Sequence, residues 1–258
     1  MNRLHLTFNC EGDTLAATLD TAPSSTGLLL VSGGNEIRSG AFAGQAKLAE
    51  KIARAGFPVF RYDRRGIGDS EGENTGYTGS EADIRAAVEA FQAVAPSVTR
   101  VVGFGNCDAA SALMLAGGAG CNALVLSNPW TIEDDTETTP PPAAVRARYA
   151  KKLKNPRELL RLLTGGVNII KLFKGLRTAS KKKLAPSGLT QRMEAGLARF
   201  RGEVRIVLAG ADRTAQVFEN AWDPNDGRIH RCEGASHAFA EDHARAWLEK
   251  SILQVLRR

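Results

Sequence analysis

A chain of 258 residues with 43% hydrophobic side chains can bury one large core, which excludes a disordered or fibrous chain. Its four cysteines (10, 107, 121, 232) and four histidines (5, 230, 237, 243) have no metal-clip spacing, so no zinc site is expected, and no apolar run reaches the roughly 18 residues of a membrane span. The net charge of +6 is unevenly placed: Ala143 to Arg192 holds 14 Lys or Arg and one acid, Glu158, so +6 less the local +13 leaves about −7 elsewhere.

The opening "MNRLHLTFNCEGDTLAATLD" alternates and carries charges, unlike a secretory leader. Reduced thiols in the cytoplasm are the expected state. "LHLTF" and "TLAATLD" predict an antiparallel hairpin. "GLLLVS" (27–32) is a buried strand closed by Gly33 and Gly34. "FAGQAKLAEKIARAG" has helical spacing and stops at Gly56. "PVFRYD" is a strand, and "SEADIRAAVEAFQAVA" a helix with Ser80 as its cap. "RVVGFG", "NALVLSNP", "EVRIVLAG" and "GRIHRCEG" follow as strands, "DAASALMLAGG" as a helix after the first of them, and "FAEDHARAWLEKSILQVL" as the closing helix. Strands separated by helices imply βαβ units, a mostly parallel sheet and right-handed crossovers. The stretch between "VLSNPW" and "VRIVLAG" is too long for a βα loop and reads as an inserted cap. The core is therefore expected over 1–128 and 200–258, and a basic helical cap over 129–199.

Gly105-Asn106-Cys107-Asp108-Ala109 has the form strand, G-x-nucleophile-x-small, helix, the pattern of a nucleophile elbow. Such a corner strains the nucleophile's backbone. It also puts sulfur at a helix N-terminus, which favours thiolate. A buried structural cysteine is the competing account of Cys107. Ser111 lies a full turn into the helix and is a poor substitute nucleophile. The order nucleophile, acid, histidine then points to Asp212 after "VRIVLAGA" and His237 in "CEGASHAF". Histidine would move the proton and the acid would orient the ring. Asp134 or Asp135 after "NPW" is the second choice of acid. The oxyanion site needs two N–H donors: that of Asp108 and that of Gly34 or Asn35 in "SGGNEIRSG". "YDRRGIGDSEG" reads as a fixed loop that buttresses the elbow, with Arg38, Arg64 and Arg65 more readily solvated than catalytic.

"DRRGIGDSEG", "GFGNCDAAS", "LAGAD" and "GASHAF" together resemble the α/β-hydrolase superfamily over nearly the whole chain. "GGNEIRSGAF" with "NCDAAS" resembles the exosortase A system-associated hydrolase 1 family, whose members accompany exopolysaccharide and exosortase loci. The cysteine elbow is also similar to that of dienelactone hydrolase, which uses Cys, Asp and His in this order. The resemblance implies the α/β-hydrolase fold and supports Cys107, Asp212 and His237. The absence of a histidine before Gly33, and Ala109 in place of glycine, depart from commoner esterases.

The expected function is ester or thioester hydrolysis, or acyl transfer to a saccharide alcohol, through an acyl-Cys107 intermediate without a cofactor. The rival is a non-catalytic protein that binds an acidic lipid or a partner through "NPRELLRLLTGGVNIIKLFKGLRTASKKK". The cations of that segment are solvated, face an acidic substrate, or touch an anionic inner-membrane surface. Nucleic acid is not expected, because no aromatic residues interleave with them.

Overall fold

The computed structural model describes residues 1–132 and 188–258. Asp134, Asp135 and most of the expected cap lie outside the described residues. Strands β1 (Arg3–Cys10) and β2 (Asp13–Asp20) form the expected hairpin, turned at Glu11 and Gly12, both at positive φ. Beyond it lie β3 (Thr26–Val31), β4 (Val59–Tyr62), β5 (Arg100–Asn106), β6 (Ala123–Ser127), β7 (Glu203–Ala209) and β8 (Ile229–Cys232). Their order across the sheet is β1-β2-β4-β3-β5-β6-β7-β8, and every pairing from β4 to β8 is parallel.

Alternation along the buried strands feeds two cores. Leu29 and Val31 face one side with Ile84, Phe91, Leu113 and Met193. Leu28 and Leu30 face the other with Ile52, Phe104, Leu248 and Ile252. The first side is covered by helices α2 (Glu81–Val94), α3 (Asp108–Leu115), α4 (Gly188–Arg199) and α5 (Arg213–Ala221), the second by α1 (Gly44–Arg54) and α6 (Asp242–Leu256). Helix α4 places Leu189, Met193 and Leu197 in the first core and packs on α3. This helix falls within the span expected as cap and buries an apolar face in the first core.

Two start signals differ from expectation. Ser80 precedes α2 but makes no side-chain cap; its hydroxyl donates to the Gly76 carbonyl and accepts from Arg64. Helix α1 begins at Gly44, after a short 3₁₀ turn (Ala41–Ala43) that is broken at Phe42 by a positive φ.

One feature of the topology places the site. From β3 the chain steps to β4 on one side, then returns to β5 on the other. The loops leaving β3 and β5 therefore diverge at the carboxyl edge of the sheet, which is where open α/β sheets bind ligands. These loops carry Gly33–Asn35 and Cys107–Asp108.

Candidate active site

Cys107 sits at φ 61, ψ −126, between β5 and α3. A non-glycine residue in that region costs about 1–3 kcal/mol and persists only where the surroundings over-determine it. Here its N–H donates to the Ser127 carbonyl at 2.9 Å, and its own carbonyl accepts from the N–H groups of Ala110 (3.1 Å), Trp130 (3.3 Å) and Ser111 (3.3 Å). A Cβ on Gly105 would lie 2.6 Å from the Ala109 carbonyl carbon, so strand and helix close only over glycine. Cys10, Cys121 and Cys232 are buried, with thiols pushed up by burial, to about 11 for Cys10 and about 12 for Cys121. Cys107 alone of the four is partly open to solvent. Ser111 is fully buried and donates to the Trp130 carbonyl at 2.8 Å, so its hydroxyl is committed to structure.

His237 and Asp212 come from two loops beyond the sheet edge. The His237 Nδ1 is 2.9 Å from an Asp212 carboxylate oxygen, and the ring is in hydrogen-bond reach of the Cys107 thiol. Asp212 also caps α5 by accepting from the Ala215 N–H at 3.1 Å. The Asp212 hydrogen bond, then that of Cys107, raises the His237 pKa from 6.5 to about 10 against the opposing effect of burial. Burial pushes the Asp212 carboxyl up, but its bonds to His237 and to the α5 amides hold it below 3.8. Three residues separated by 105 and 25 positions thus meet in one place. His5, His230 and His243 lie in β1, β8 and α6.

The loop 33–36 is a turn closed by the Glu36 N–H on the Gly33 carbonyl, with Gly34 at φ 54. The Gly34 N–H, expected to face substrate, instead donates to both carboxylate oxygens of Asp108, at 2.7 and 2.8 Å. Arg64 is buried and donates to the Gly34 carbonyl. That carbonyl shares its peptide group with the Asn35 N–H, so the guanidinium polarises the Asn35 N–H. Arg64 is thus a buried tie, and Arg38 and Arg65 are ion-paired too, with buried Asp63 and Asp83. The "YDRRGIGDSEG" loop braces the turn after β3 more directly than the elbow: Asp63 accepts from the Arg38 N–H and guanidinium and from the Asp69 N–H.

Two residues that sequence reasoning passed over position the histidine. Asn128, fully buried at φ 42, donates its side-chain amide to the His237 carbonyl at 3.1 Å and to Asn106 Oδ1 at 3.0 Å. Its own Oδ1 accepts from the Ala209 N–H at 2.8 Å, so one amide ties β6, β7 and the histidine loop. Asn106 adds a bond to the same carbonyl at 3.4 Å. The available signal was an asparagine, which tolerates positive φ, directly before Pro129 at a strand end. Asn128→Ala leaves several buried partners unmet and should cost about 1–3 kcal/mol per unsatisfied group. It should also lower kcat on any substrate by about tenfold or more as His237 loosens. Thermal denaturation and steady-state kinetics check both.

Among the described residues no group of three or more His, Cys, Asp or Glu is placed to hold a metal, and no helix is long and apolar enough to cross a membrane. What the carboxyl edge of this sheet does hold is a strained thiol at a strand-to-helix corner, facing an acid-oriented imidazole. Those features define an enzyme of the α/β-hydrolase type. The chain belongs to the alpha/beta hydrolase family, whose model matches residues 28–250. No curated protein sequence is a significant match. Solved structures with the same fold include an esterase from Pyrococcus furiosus (12% identity, TM-score 0.64, covering 100% of this chain and 91% of that one). The alpha/beta hydrolase GrgF from a Penicillium species is 16% identical with TM-score 0.65, covering 100% and 99%. Dienelactone hydrolase from Anabaena variabilis is 12% identical with TM-score 0.63, covering 99% and 97%.

Proposed function

We propose that the protein hydrolyses an ester or thioester through a covalent intermediate on Cys107, with His237 as proton carrier and Asp212 as its orienting acid. The observation that carries this is the convergence of the three residues, with the His237 Nδ1 2.9 Å from the Asp212 carboxylate and the Cys107 thiol close enough to the ring to raise its pKa. It also favours an enzyme over a scaffold that acts only through its basic segment.

The raised histidine pKa means that the ring keeps its proton through the neutral range. The reactive form of the pair is thiolate with imidazolium, as in other His-paired cysteine enzymes. The sulfur forms a bond to the acyl carbon, the carbonyl electrons move to oxygen, and on their return the alkoxide or thiolate leaves with the proton of His237. Neutral His237 next takes a proton from water as that water attacks the acyl-cysteine. Collapse releases the carboxylic acid, and the sulfur and imidazolium are restored. A saccharide alcohol in place of water would make the same residues an acyltransferase.

The oxyanion would be met by the N–H groups of Asp108, at the start of α3, and Asn35. Neither has a protein partner among the described residues. The likeness of "GGNEIRSGAF" and "NCDAAS" to the exosortase A system-associated hydrolase 1 family supports a role beside exopolysaccharide or exosortase systems. The 13 excess positive charges between Ala143 and Arg192 favour an acidic leaving group or an anionic surface nearby.

The test is mass spectrometry of the protein quenched during turnover of p-nitrophenyl acetate. An added acetyl group on the peptide carrying Cys107 is expected. Steady release of p-nitrophenol with no adduct on that peptide, even in His237→Ala, would exclude the mechanism.

A further inference from the structure

The Asp108 carboxylate occupies the Gly34 N–H, one of the donors the sequence offered to a substrate oxygen. Both its oxygens lie 2.7–2.8 Å from the Gly34 N–H, and a Cβ on Gly33 would come within 2.5 Å of one of them. Gly33 is therefore a residue that only glycine can be, since anything larger would drive the acid off. Gly34 is also held from its other side, through its carbonyl, by buried Arg64. This is a built contact across 74 residues, between the two loops that diverge at the switch of the sheet.

Its chemistry conflicts with simple acyl transfer. A carboxylate beside a developing oxyanion repels it, and a hydrogen bond to a charged acceptor is about twice as strong as a neutral one. A plain acyl group either leaves that bond in place, with the carboxylate beside an oxyanion held only by the Asp108 and Asn35 N–H groups, or breaks it and leaves the carboxylate uncompensated. An acyl group with a donor next to its carbonyl meets a different balance. An α-hydroxyl or α-ammonium can take over the carboxylate as it leaves Gly34, and the Gly34 N–H then joins those of Asp108 and Asn35 around the oxyanion.

On the reading of Cys107 as nucleophile, we propose that Asp108 determines specificity. It selects α-hydroxyacyl or α-aminoacyl esters and thioesters, disfavours plain acyl groups, and rejects acyl groups bearing a second carboxylate. The selection concerns the acyl side only, so an acidic leaving group is compatible with it.

The experiment compares kcat/KM for the acetyl, 2-hydroxyacetyl, glycyl and malonyl thioesters of N-acetylcysteamine, each divided by its rate with hydroxide to remove intrinsic reactivity. The wild type should favour the hydroxyacetyl and glycyl compounds over acetyl by on the order of tenfold, and disfavour malonyl by a similar factor. Asp108→Ala should bring the four within about twofold of one another, chiefly by raising acetyl and malonyl. Asp108→Asn keeps the volume while removing the charge, and should lose the glycyl preference and the malonyl penalty; it guards against a folding defect in the alanine variant. The same ranking in wild type and both variants overturns the proposal. So does a uniform fall in all four rates, which would make Asp108 a support of the loop and not a selector. Cys107→Ala separates the two levels: if it still turns over these thioesters, the nucleophile is wrong. If it is inactive while the Asp108 variants leave the ranking unchanged, only the selectivity claim fails.

Discussion

Cys107→Ala should lower turnover of an ester or thioester by about 10⁴-fold or more, because the proposed mechanism carries the acyl group on that sulfur. The fold should not suffer. Cys107 is partly exposed, and its strained backbone is held by main-chain bonds from Ser127, Ala110, Ser111 and Trp130 that a substitution leaves in place. Cys107→Gly makes the argument sharper. At φ 61, glycine has no Cβ to strain, so relief of about 1 kcal/mol is expected, and the melting temperature should rise by about 2–4 °C while activity disappears. A site that is more stable without its chemistry stores strain for a purpose. Retained turnover in Cys107→Ala, measured alongside calorimetry, would remove cysteine from the mechanism.

Asp212→Asn should be the next most damaging change, by about 10³–10⁴-fold in kcat, with the fold intact. Its diagnostic is the pH profile. The Asp212 hydrogen bond is the largest cause that holds the His237 pKa at about 10. In the wild type, kcat/KM should fall as pH rises through that value, as the proton needed by the leaving group is lost. In Asp212→Asn the alkaline limb should move down toward the ordinary 6.5. Stability follows the same sign. A group with a raised folded pKa stabilises fully below its unfolded value, so the His237 contribution is complete below about 6.5 and is lost as pH rises toward about 10. Melting temperatures taken across that range should decline in the wild type, and the decline should be shallower in Asp212→Asn. An alkaline limb at the same pH in both proteins would show that Asp212 does not hold the histidine.

The alternating apolar runs and the helices between them follow from short-range chemistry, and this is why the sheet, the hairpin and the closing helix were legible in the residues. The elbow was legible for the same reason. Gly105 and Ala109 flank Cys107 within five positions, and the close approach of β5 to α3 is a local demand on side-chain size. The order Cys107, Asp212, His237 was readable because the fold imposes a chain order on nucleophile, acid and histidine.

Other features depend on contacts between segments far apart in the chain, which no local pattern encodes. A strand-end asparagine looks the same whether it meets water or, as Asn128 does, the carbonyl of a residue 109 positions away. Asp108 reads as a helix-start acid until the turn after β3 is brought against it; only then does it claim the Gly34 N–H. Arg64 reads as a solvated loop cation until burial and the Gly34 carbonyl make it a tie. Helix α4 looks like the end of an insertion until Leu189, Met193 and Leu197 find the first core. Sequence determined which residues can form strands, a strained corner and an acid–histidine pair. Tertiary structure decided which polar groups are already satisfied by one another, because hydrogen bonds are short and directional and form only where the fold has brought both partners within about 3 Å.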